Sequence, residues 1–154
     1  MTDDDWMQIA LNEAALAPSH ADIPVGAVLV SADGRELARG HNQRESAADP
    51  TAHAEIVVLR AATAAQGHWR LTDTTLYVTL EPCPMCAGAL INARVARLVY
   101  GCTDPKAGAI DTLYQLGNDS RLNHRLQVQG GMQAEASRAQ LQQFFQALRR
   151  EGQK

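Results

Sequence analysis

Apolar positions along the 154-residue chain recur with two periods, and each switch between them marks an element. From Thr2 to about Ala17, residues Trp6, Ile9, Ala10, Leu16 and Ala17 fall near helical spacing. Thr2, with Asp5 three residues on, has the form of an N-terminal cap, and Pro18 ends the segment. The run Val25–Val30 is short and unbroken, as in a strand buried on both faces. Asp33-Gly34 turns it into a second strand over about Arg35–Asn42.

After Asp49-Pro50, Thr51 is suited to cap a helix that runs to Gln66, where Gly67 stops it. Thr75–Leu80 is rich in β-branched and aromatic residues and reads as a strand. Pro82 suits the first position of a helix reaching about Asn92. Strands are expected over Arg97–Gly101 and, more briefly, Gln127–Gln129. A terminal helix over about Gln133–Arg150 lines up Leu141, Phe144, Phe145 and Leu148. Two adjacent aromatic rings cannot both face a core, so one of Phe144 and Phe145 is expected to be exposed. Strands alternating with helices need crossovers, and crossovers cover a sheet on both faces. The expected fold is therefore α/β: a mixed five-stranded sheet in a three-layer α/β/α arrangement.

Composition narrows the class without naming an activity. With 45% hydrophobic and 20% charged residues, the chain reads as one globular domain over residues 1–154. Its start, Met1-Thr2-Asp3-Asp4-Asp5, has neither the basic opening nor the apolar run of a secretory signal. No stretch approaches the roughly 18 apolar residues of a membrane span. A cytoplasmic protein is expected, and three cysteines, two of them three residues apart, do not form a disulfide framework.

The net charge of −3 conceals an asymmetry. Residues 1–93 carry five basic against twelve acidic side chains, and residues 94–154 carry nine against five. A basic C-terminal third can follow phosphates, although a solvated helical face has the same composition.

The chemistry gathers in two fragments, His53-Ala54-Glu55 and Pro82-Cys83-Pro84-Met85-Cys86, each opening a helix. Residues three apart lie about 60° from each other around a helix, so both sulfurs can face one point. A helix N-terminus also favours the thiolate that binds metal. Two thiolates and one imidazole give zinc three protein ligands and leave the fourth tetrahedral position to water, as in catalytic sites. Glu55 then stands beside that water as a general base, and the combination suits hydrolytic attack on an amidine-like ring carbon with loss of ammonia.

Other readings accompany these residues. Cys-x-x-Cys also occurs as a redox pair. Cys102 could close a four-ligand structural zinc site, although its place at the end of a strand suits a small, partly buried residue better. His20, His41 and His68 read as structural.

His-x-Glu followed by Pro-Cys-x-x-Cys resembles the zinc nucleobase deaminases. The likeness extends to the bacterial transfer RNA adenosine deaminases. It runs through Pro24–Val28, Asp49–Ile56, Leu80–Ala89, Asp104–Ala109, Asn123-His124-Arg125 and the Phe144-Phe145 helix, from about Trp6 to Arg150. The resemblance implies hydrolysis of the wobble adenosine of an anticodon loop to inosine by a zinc-bearing homodimer. It implies metal ligation by His53, Cys83 and Cys86, and proton transfer by Glu55. It assigns Val25 and Asn42 to the base and sugar pocket, and Asp104, Lys106, Asn123, Phe145 and Arg149 to neighbouring nucleotides. An apolar pocket, an amide, an aromatic face and cations are what a splayed-out loop base requires.

Pro18–Ile23 has no counterpart in this likeness, and Asp119 brings a negative charge to the loop near the expected RNA side. Relatives acting on free guanine or cytosine share the metal motif, so a free-base deaminase is the second expectation. A non-catalytic zinc-stabilised RNA-binding subunit is the third, and it gives Glu55 no role.

Overall fold

The computed structural model describes residues 1–152. Its elements, in chain order, are α1 (Asp3–Ala14), β1 (Gly26–Val30), β2 (Glu36–His41), α2 (Ala54–Gln66), β3 (Thr75–Leu80), α3 (Pro84–Asn92), β4 (Arg97–Cys102), β5 (Gln127–Gln129) and α4 (Ala134–Arg150). Short 3₁₀ turns lie at Ala17–His20 and Leu116–Asn118.

The sheet runs β2-β1-β3-β4-β5. β1 is antiparallel to both β2 and β3, whereas β3, β4 and β5 are parallel. This is the expected mixed five-stranded sheet. Its alternation puts Ala27, Leu29, Leu76, Val78 and Leu98 on one face, with Val58, Leu59 and Leu90 of α2 and α3. Val28, Val30, Tyr77 and Val99 face the other way, onto Trp6, Met7, Ala10 and Leu11 of α1. α4 lies beside α1, where Gln140 donates to the Leu11 carbonyl (3.0 Å) and the Ser137 hydroxyl accepts from the Cys102 amide (3.1 Å).

Several boundaries move, each for a local reason. Thr2 and Asp5 form the reciprocal cap expected at the start of α1. The helix nevertheless ends at Ala14 rather than Ala17, and Pro18 sits inside the 3₁₀ turn. Thr51 does not cap α2, because its hydroxyl donates to Asp49 Oδ1 (2.7 Å), and the capping position falls to His53. Gly67 ends α2 with φ 83°, a conformation that glycine adopts without penalty. α3 begins two residues later than expected. Pro84, not Pro82, takes its first position, and Cys83 becomes the N-cap. On α4, Leu141, Phe144 and Leu148 are half-buried, whereas Phe145 is 39% exposed and packs edge-on to Phe144 with ring centroids 5.4 Å apart.

Candidate active site

Helices α2 and α3 both start at the edge of the sheet where β3 ends, the place at which parallel strands commonly present ligands. Their N-cap residues, His53 and Cys83, have extended backbones, and neither spends its side chain on capping. Those side chains turn toward each other instead. His53 Nδ1 lies 3.6 Å from Cys83 Sγ and 3.5 Å from Cys86 Sγ. The ligand atoms of the three residues lie within 4.8 Å of one another, and they form the one such metal-ligating group among the described residues.

Cys102 stands apart from it. Its sulfur faces the Thr79 carbonyl at 3.9 Å, so no fourth protein sulfur closes the site.

The electrostatics suit a cation. Contact with the Cys86 thiol and with His53 holds Cys83 far below an ordinary thiol, at about 4, and its negative charge raises His53 in turn. The proton the two sulfurs share stays on Cys86, which its hydrogen bond to Cys83 and its burial push upward. A divalent metal bound here would take the place of that proton. Two sulfurs, one imidazole nitrogen and an open side fit zinc with a solvent position. Glu55, the second residue of α2 and 4% exposed, lines the same cavity; burial raises its carboxyl to about 7.

That cavity encloses about 160 Å³. Drug-sized pockets run from roughly 300 Å³ upward, so this one suits a single flat ring system with the remainder of a substrate outside. Val25, Asn42 and Asp104 line it together with His53, Glu55 and Cys83. Asn42 is held by its Nδ2, which donates to the Ile23 carbonyl (3.3 Å), and its Oδ1, which accepts from the Arg44 amide (3.2 Å). One N–H and one lone pair of the amide remain for a base edge.

The other residues expected at the site are not in the cavity wall. Lys106 is exposed on the loop that carries Asp104, with its backbone N–H bound to Asp104 Oδ1. Phe145 and Arg149 are exposed on α4. Asn123 is exposed beside His124, whose Nε2 lies 2.6 Å from the Val95 carbonyl, just before β4 begins and therefore at the opposite end of the sheet.

Six of the twelve residues lining the cavity had no site role read from the sequence, Ile23, Arg44 and Glu81 among them. Ile23 belongs to the segment without counterpart. Arg44 is the cation of the wall, and Asp22 positions its loop: the buried carboxylate accepts from the Glu45 amide (2.6 Å) and the Ser46 amide (3.2 Å). Glu81 is 1% exposed and precedes Pro82-Cys83. A carboxylate at the buried end of a β-branched strand was a signal available for it.

A buried acid beside a three-donor group that could hold zinc, open on one side, fits a hydrolytic zinc centre of the kind nucleobase deaminases use. In keeping with this, the model of the cytidine and deoxycytidylate deaminase zinc-binding region matches residues 1–102, and the chain belongs to that zinc-dependent deaminase family.

Within the family, it is 46% identical to a tRNA-specific adenosine deaminase of Streptococcus pyogenes serotype M1, over 91% of this chain and 81% of that protein. It is likewise 46% identical to a tRNA-specific adenosine deaminase of Bacillus subtilis, over 97% and 93%. A solved structure from work on A-to-I editing by tRNA deaminases at the wobble position superposes with TM-score 0.85 and 44% identity. It covers 89% of this chain and 99% of that one. A guanine deaminase from Bacillus subtilis superposes with TM-score 0.63 and 37% identity, over 67% and 66%.

Proposed function

We propose that this protein converts adenosine to inosine at the wobble position of a tRNA anticodon loop, in the cytoplasm, as a homodimer. The observation that carries the reading is the His53, Cys83 and Cys86 group, which could hold a metal ion beside a cavity sized for one base, in a chain so similar to tRNA-specific adenosine deaminases. A base in a loop can be turned out into such a cavity while sugar and phosphates stay at its mouth.

His53, Cys83 and Cys86 would hold the zinc, which when bound would lower the pKa of a water from 15.7 to about 7 and so supply the nucleophile. Glu55 then moves the protons. Its carboxylate accepts one from the attacking water and delivers it to N1 of the purine. The C6 amino group leaves as ammonia with the second water proton, and C6 keeps the oxygen as the carbonyl of inosine. Asn42 holds the base edge with its free amide valences, and Val25 packs against the base and sugar. Arg44 and Asp104 stand at the wall toward the flanking nucleotides, with Lys106 beyond them on the same loop.

Phe145 and Arg149 offer a stacking ring and a cation on one exposed stretch of α4. Asn123 sits at the far end of the sheet, so its contact with RNA requires a second subunit to bring it to the cavity. Exposed Met85 on α3, with Leu113 and Tyr114 nearby in sequence to the cavity loop, offers apolar surface for that subunit.

Incubation of tRNA with the protein, followed by sequencing, tests the reading: adenosine at the wobble position is read as guanosine if inosine forms. Faster ammonia release from free guanine would favour a free-base deaminase, the reading that the 37% identical guanine deaminase supports.

A further inference from the structure

Glu81 has no part in the chemistry above, yet it accepts more hydrogen bonds than any other side chain near the cavity. Its Oε1 takes the Asp104 amide (3.0 Å) and the Thr112 hydroxyl (2.5 Å). Its Oε2 takes the amides of Ile110 (3.1 Å), Asp111 (2.8 Å) and Thr112 (3.0 Å). All five donors belong to one loop, residues 104–112, that follows β4 and folds back over the end of β3. Asp104 continues the arrangement, since its Oδ1 accepts from the amides of Lys106 (3.0 Å) and Ala107 (3.2 Å). Both ends of this loop thus hang from a single buried carboxylate placed two residues before Cys83.

The loop is shaped around that group. A Cβ added to Gly108 would lie 2.4 Å from Glu81 Cδ and Oε1, so any larger residue there displaces the carboxylate or the loop. Two further tethers, from the Tyr100 hydroxyl to Asp111 Oδ2 (2.5 Å) and from the Ala109 amide to the Pro82 carbonyl (2.9 Å), hold the later part of the loop, whereas the Asp104–Ala107 part is bonded outside the loop through the Asp104 amide on Glu81. That part supplies Asp104 and Ala107 to the cavity wall and presents Lys106 to solvent.

We infer that Glu81 is a positioning residue: it presets the Asp104–Ala107 wall for the RNA flanking the target base, coupling that wall rigidly to the start of the metal-binding helix. This builds on the RNA-deaminase reading. The physical reason is preorganisation, because a wall already held in its bound shape loses little freedom when substrate arrives. An amide cannot substitute. One glutamine oxygen replaces two, and its NH₂ would point at backbone donors that have no lone pair to offer.

Glu81→Gln tests it. The expected result is at least tenfold faster hydrogen exchange at the Ile110, Asp111 and Thr112 amides and a KM for an anticodon stem-loop raised at least tenfold. Bound zinc stays at one per chain and kcat within about threefold. Gly108→Ala and Thr112→Val disturb the same contacts from the loop side, away from Cys83, and decide the matter if Glu81→Gln does not fold. Both are expected to raise KM, and Thr112→Ser, which keeps the hydroxyl, restores it. Unchanged exchange overturns the inference, as does loss of zinc or kcat at constant KM, which would mean that Glu81 supports the metal helix instead. Exchange is read without substrate, so a wild-type protein inactive on RNA would remove the functional reading and still leave the tether measurable.

Discussion

His53 and Cys83 cap two different helices thirty residues apart in sequence, yet His53 Nδ1 stands 3.6 Å from Cys83 Sγ. The sheet makes this meeting unavoidable. α2 and α3 pack on the same face, and both begin at the edge where β3 ends, so their first residues are neighbours. The metal centre is a property of where two helices start.

That relationship sets the expected effect of metal removal. A chelator should abolish deamination, and added zinc should restore it, because most of the apolar burial that holds the fold lies in the two cores on the sheet faces rather than in the metal site. Zinc at a hundred times its Kd adds about 2.7 kcal/mol of stability through binding to the folded state. Thermal unfolding with and without zinc, followed by activity on re-addition, checks both parts. Cys83→Ser or His53→Ala should weaken zinc retention, and activity that survives in zinc-free protein would refute the role of the centre.

Glu55→Gln separates proton transfer from metal binding. Glu55 is not one of the three ligands, so zinc should be retained at wild-type level while inosine formation falls by about 10²- to 10⁴-fold, the usual worth of a placed acid–base group. Metal analysis and single-turnover assays on a stem-loop RNA measure the two quantities. A variant that keeps full activity removes Glu55 from the mechanism.

The metal centre was legible in the sequence because its information is local. A three-residue Cys spacing and a His-x-Glu at a helix start describe the site before any fold is known. The five strands were also legible, since β-branched and apolar runs bounded by turns are local signals. The order β2-β1-β3-β4-β5 depends on which edges meet and leaves no such trace.

Glu81 stayed hidden for the same reason, as its partners lie 23 to 31 residues away. The start of α2 was misplaced because Thr51 had two uses for its hydroxyl, and Asp49 took it. Asn123 belongs to a segment whose neighbourhood was read from resemblance; the fold shows it at the end of the sheet away from the cavity.

Charge at the mouth is tested by salt. Arg44 lines the cavity, Arg149 is exposed on α4, and neither is in an ion pair with a carboxylate among the described residues. Each should contact phosphate in the RNA complex. Arg44→Ala and Arg149→Ala should weaken stem-loop binding and reduce the slope of log affinity against log salt by about one unit per lost phosphate contact. Binding titrations between low and moderate salt read the slope. A residue whose removal leaves it unaltered points elsewhere in the complex.

A last expectation concerns stability far from the cavity. Asp3, in the first turn of α1, accepts from Arg97 on β4 through two nitrogens (2.9 and 2.5 Å) and from the Tyr77 hydroxyl of β3 (2.6 Å). These contacts fasten α1 to the middle of the sheet. The Arg97 guanidinium, helped by Tyr77, lowers the Asp3 carboxyl from 3.8 to about 2. The folded state therefore binds the Asp3 proton more weakly than the unfolded chain does, and the contribution is complete above about pH 5. It declines as pH falls through the interval between 3.8 and about 2, where the carboxyl becomes protonated even in the folded protein. The pair is partly exposed, so solvent screening limits its worth to about 1 kcal/mol. Asp3→Asn should accordingly lower the urea midpoint at pH 7, and the gap to wild type should narrow steadily below pH 4. A gap that stays constant down to pH 2 would show that the substitution acts through packing or the helix start rather than through this charge.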